Sequence, residues 1–115
     1  MDGRSQAERE MIAARNQSLF REVNARIRAT VEAFGTPTRE LVIMCECAST
    51  ECVATIHLAT AAYERLRANP RRFAVRPGHV YEDVERVVEE AETFVVVEKF
   101  GAAIPVVEAL APASA

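Results

Sequence analysis

The chain has 115 residues, half of them hydrophobic and 27% charged, with a net charge of −3. Those values exclude a disordered chain and argue against a general nucleic-acid coat, which needs an overall basic surface. No apolar run approaches the ~20 residues of a bilayer span, and the polar start "MDGRSQAERE" lacks the apolar core of a signal peptide, so a cytoplasmic location without a membrane partner is expected.

Residues 5–34 contain neither Gly nor Pro, and Leu19/Phe20, Val23, Ile27, Val31 and Phe34 recur at three- and four-residue steps. This is the apolar stripe of an α-helix, extended upstream by Ile12. The helix packs on its own domain or, since about three heptads also suit a short coiled coil, forms a dimer seam or docks a protein partner. "GTPT" at 35–38 ends it, with Gly at the C-cap and Pro beyond. "LVIMC" (41–45) and "VATIHLA" (53–59) read as strands. Thr60 is placed to cap the helix "AAYERLRAN", which Pro70 stops. "RFAV" (72–75) reads as a strand, and "DVERVVE" (83–89) and "TFVVVEKF" (93–100) as two more joined by an acidic turn. The first of that pair also fits a helical period, but its β-branched residues favour a strand. A short helix is expected to start near Pro105. The order gives an α+β fold. A long N-terminal helix (1–34) precedes a small mixed or antiparallel sheet with one or two short helices (39–110).

All three cysteines lie in "MCECASTEC": Cys45, Cys47 and Cys52. An odd number cannot all pair within one chain, and in a reducing compartment thiols stay free, bind metal or react. Structural zinc takes four tetrahedral ligands, three Cys with one His among the usual sets. The chain has two histidines. His79 follows Pro77 and Gly78, a tight turn that presents its side chain, and is preferred as the fourth ligand. His57, mid-strand, is the second choice, and a carboxylate or water the third. Buried apolar cysteines, an iron–sulfur cluster with three Cys and one His, and a reactive thiol are the competing readings. Glu46 and Glu51 beside the thiols disfavour a low-pKa thiolate.

Arg65, Arg67, Arg71, Arg72 and Arg76 form a basic run, followed by six acids from Glu82 to Glu92. The run could grip phosphate and makes a nucleic-acid-binding regulator the alternative function; internal pairing on a solvated surface is the simpler reading. No phosphate-binding glycine loop, dinucleotide fingerprint or zinc-protease helix occurs, and neither Ser49 nor Ser18 belongs to a catalytic triad. The residues therefore favour a non-enzymatic zinc-binding regulatory or interaction module, whose first helix forms a homodimer or docks a protein partner.

"FREVNARI", "CEC" with a further cysteine, "IHLATAAYERLRANPRRFAVRPGHV", "VERVVE" and "FVVVEKFGAA" resemble a family of short uncharacterised actinobacterial proteins. Their pattern is approximately CEC-x4-C, LT-x2-EY, P-x-RF-x-V-x-PGH and VVEK, and the likeness covers residues 20–103. It implies that Cys45, Cys47, Cys52 and His79 are motif positions, and it brings no activity with it. The departures, Ala62 before Tyr63 and Ala59 before Thr60, lie away from these four residues.

Overall fold

The computed structural model describes residues 3–35 and 39–112. Helix α1 (Gln6–Ala33) is followed by strands β1 (Glu40–Met44) and β2 (Thr55–Ala59), helix α2 (Thr60–Arg67), strands β3 (Arg72–Val75), β4 (Glu85–Glu90) and β5 (Val95–Lys99), and helix α3 (Ala103–Ala109). The fold is α+β, as expected. The strands divide into two antiparallel sheets, β1–β2 and β3–β5–β4, rather than joining in one. Register follows the apolar pattern: Leu41 pairs Leu58 and Ile43 pairs Ile56, with all four buried. The segment with two periods is a strand, β4, which slips by one residue between Val87 and Glu89 against β5; such a bulge bends an edge strand.

The Ser5 hydroxyl accepts from the Glu8 amide at 3.1 Å and starts α1. At the other end Gly35 adopts φ +69°, the left-handed conformation that suits glycine; Thr36, Pro37 and Thr38 of the stop signal lie outside the described residues. Thr60 is the first residue of α2 and Ala59 holds the capping position; the Thr60 amide donates to the Arg39 carbonyl. Helix α3 begins two residues before Pro105. Its start is fixed from far away: the Glu10 carboxylate of α1 accepts from the Ala102 amide at 2.8 Å.

Helix α1 turns a different face inward from the one its apolar stripe suggests. Its buried residues are Glu10, Ala13, Ala14, Gln17, Ser18, Arg21 and Asn24, while Leu19, Val23 and Phe34 are exposed. The cause lies in what this side of the domain presents. Asn24 donates to the Met44 carbonyl and accepts from the Met44 amide. Gln17 donates to the Glu46 carbonyl, and Arg21 to the carbonyls of Pro70 and Val107. Buried backbone groups need partners, and α1 supplies them while its alanines allow close approach. Below it, Phe73, Val75, Val97 and Tyr63 centre the apolar core. Lys99 is buried there too, held by Gln17 and Glu85.

Candidate metal centre

The segment Cys45–Cys52 leaves β1 in extended form. The Cys45 amide donates to the Ala54 carbonyl at 2.9 Å and the Glu46 amide to the Ala74 carbonyl at 2.8 Å, so this segment bridges the two sheets. Side chains alternate along extended backbone. Cys45 and Cys47 therefore face one side and Glu46 the other. The chain then turns back through Ser49, whose carbonyl accepts from the Cys52 amide, and returns Cys52 to the same side.

His79 arrives from the opposite direction. The Arg76 carbonyl accepts from the His79 amide at 3.0 Å, and Gly78 between them has φ +85°. Pro77 and Gly78 thus occupy the central positions of a type II turn, where only glycine is unstrained at the second of them. This turn directly follows β3, the strand to which Glu46 is bonded, so one short tether aligns both arms of the site.

The potential ligand atoms of Cys45, Cys47, Cys52 and His79 all lie within 4.8 Å of one another. Nδ1 of His79 stands 3.5 Å from Sγ of Cys45 and 3.6 Å from Sγ of Cys52. Ligands at about 2.3 Å for sulfur and about 2.0–2.1 Å for nitrogen around a tetrahedral ion would stand about 3.6 Å apart. The cluster can therefore hold one metal ion. His57 lies outside it, exposed on β2 beside Glu40 at 3.3 Å.

Cys45 and Cys47 are buried, Cys52 half-buried and His79 exposed. Burial pushes the Cys45 thiol up to about 12, against the pull of the Arg76 amide, which donates to its Sγ at 3.2 Å. Burial likewise raises Cys47. A bound divalent cation would reverse that preference by compensating the thiolates. The expected effect of the neighbouring glutamates needs correcting for Glu46, whose carboxylate points away from the sulfurs. Beside the cluster lies a hollow of about 430 Å³ lined by Cys47, Cys52, Val53 and His79 among others.

Glu46 is the residue of this region that ligand counting misses. It is fully buried and accepts from Arg67 Nη2 at 2.7 Å, the Ala74 amide at 3.0 Å and Asn24 Nδ2 at 2.8 Å. One side chain thus ties the cysteine segment to α1, α2 and β3. The one local signal is its position between Cys45 and Cys47. Comparison with protein-family models, curated proteins and solved structures finds no match for the chain.

Proposed function

We propose that the protein is a non-enzymatic module in which zinc, bound by Cys45, Cys47, Cys52 and His79, clasps the cysteine segment to the Arg76–His79 turn. The observation that carries this reading is the spacing of the four ligand atoms, which suits a single tetrahedral ion. Iron–sulfur clusters fit less well, because their ligands sit on separate irons and stand further apart. Four protein ligands leave no open position, which is the mark of a structural rather than a catalytic zinc site. The likeness to short actinobacterial proteins extends the same clasp to that group.

The partner surface is the exposed side of α1. Leu19, Val23 and Phe34 are exposed at 62%, 44% and 80%; the first two lie four residues apart on α1 and Phe34 is its C-cap. A second copy packed along this stripe would bury it, giving a homodimer. The nucleic-acid reading has less support. Arg65, Arg67, Arg71 and Arg72 pair with Glu89, Glu46, Glu108 and Glu98, and Arg76 donates to the Thr55 carbonyl.

Thiol alkylation of the folded protein at neutral pH tests the clasp. Slow labelling of all three cysteines that accelerates on adding a chelator is expected. Rapid labelling that a chelator leaves unchanged contradicts it.

A further inference from the structure

The three free thiols are not equivalent as partners for one another. Strands β1 and β2 set Leu41 opposite Leu58 and Met44 opposite Thr55, and the Cys45 amide donates to the Ala54 carbonyl one step further on. Carried on by two residues, that register sets Cys47 opposite Cys52. The turn between them agrees. The Ser49 carbonyl accepts from the Cys52 amide at 3.2 Å and lies 4.0 Å from Sγ of Cys47.

Register decides which pair a disulfide can join. Residues directly opposite in an antiparallel pair stand about 4.5–5.5 Å apart at Cα, inside the window of about 4.4–6.8 Å that a disulfide spans. Cys45 and Cys52 are diagonal neighbours, at about 7–8 Å, beyond that window. Cys45 and Cys47 lie two apart on extended backbone, about 6.6 Å at a rise of about 3.3 Å per residue. Their side chains run parallel, so their Cβ atoms stay further apart than the roughly 3.5–4.5 Å a disulfide needs. Access divides the thiols in the same way. Cys47 and Cys52 line the hollow beside the cluster, and Cys52 is half-buried. Cys45 is 0% exposed, and its sulfur accepts from the Arg76 amide.

We propose that Cys47 and Cys52 form a peroxide-responsive pair whose oxidation to a disulfide opens the clasp. The Cys52 thiolate attacks one peroxide oxygen; the O–O bond breaks, and the departing hydroxide takes a proton from solvent and leaves as water. The Cys52 sulfenic acid so formed is attacked by the Cys47 thiolate. The S–S bond forms, the S–O bond breaks, and a second proton from solvent carries the hydroxyl away as water. Two electrons pass from the two sulfurs to peroxide. Only Cys45 and His79 are then left to hold an ion, and a thiol reductant reverses the change by exchange. The loss of metal rests on the zinc reading above; the pairing rests on the fold alone.

Hydrogen peroxide added to the full chain, zinc-loaded in one sample and stripped by a chelator in another, tests the proposal. Cleavage after Glu46 and Glu51 puts each cysteine on its own peptide, so mass mapping without reduction reads the pairing directly. Expected in both samples are a Cys47–Cys52 link, Cys45 recovered as an alkylated thiol, and the loss of two of the three titratable thiols, restored by dithiothreitol. In the loaded sample zinc should pass to a chromophoric indicator in step with the disulfide. A chain that carries no zinc to begin with refutes the clasp, and the stripped sample still decides the pairing. Links through Cys45, links between chains, sulfinic or sulfonic acids without a disulfide, or thiols untouched by excess peroxide overturn the proposal. So does zinc that stays bound to the disulfide form.

Discussion

Arg67 Nη2 donates to Glu46 Oε1 at 2.7 Å, joining α2 to the residue between two of the three cysteines. The carboxylate is fully buried and the guanidinium nearly so, with side-chain exposures of 0% and 16%. The cysteine segment thus has two faces: the sulfurs of Cys45 and Cys47 on the side of His79, and the Glu46 carboxylate toward the interior.

Breaking that pair should cost much of the domain's stability. Removing one partner of a buried ion pair costs roughly 3–5 kcal/mol, so Glu46→Ala is expected in that range by urea denaturation of the metal-loaded protein. Glu46→Gln keeps an acceptor for the Ala74 amide but strands the Arg67 charge, and should fall in between. A loss below about 1 kcal/mol for Glu46→Ala, the size of an ordinary exposed pair, would show that the network does not hold the segment.

The two histidines should behave oppositely. His79→Ala removes the proposed fourth ligand, and even the partners standing behind metal ligands are worth 10–100-fold in affinity; a loss beyond about 100-fold is expected in a competition titration with a chromophoric chelator. His57→Ala touches an exposed pair and should stay within about 0.5 kcal/mol in stability, with metal affinity unchanged. Equal effects of the two substitutions would sink the assignment of His79.

Self-association should depend on the exposed stripe of α1. Sedimentation velocity is expected to show a dimer that Leu19→Asp or Val23→Asp converts to a folded monomer. A wild-type monomer at high micromolar concentration would leave the stripe without the proposed role.

Acid sensitivity should include Glu98. The hydrogen bond from Arg72, at 3.0 Å, holds its carboxyl below the ordinary 4.5, with Arg86 assisting and burial opposing. A carboxylate whose pKa is depressed on folding binds fewer protons in the folded than in the unfolded state. Its contribution is complete above about 4.5 and is lost as pH falls through the folded value. Glu98→Gln should therefore flatten the acid limb of a melting-temperature profile relative to wild type. Parallel acid limbs for the two proteins would contradict this.

Local signals in the sequence reach most of this structure and stop at tertiary ones. Gly35 and Gly78 announced their left-handed turns, β-branched residues announced β4 and β5, and the count of thiols led to His79. The inward face of α1 is not the apolar stripe that its periodicity marks. The domain instead presents unpaired backbone groups there, and Gln17, Arg21 and Asn24 satisfy them. The start of α3 near Pro105 is legible in the sequence, whereas its bond to Glu10 is not, because Glu10 comes from the other end of the chain. Glu46 read as a neighbour of thiols, since nothing local reveals that Asn24, Arg67 and Ala74 converge on its carboxylate.

Elemental analysis of protein purified without added metal tests the clasp most directly. About one equivalent of zinc per chain, released together with the protection of three thiols, is the predicted result. Less than about half an equivalent of zinc, with three thiols freely titratable in the folded protein, would contradict it.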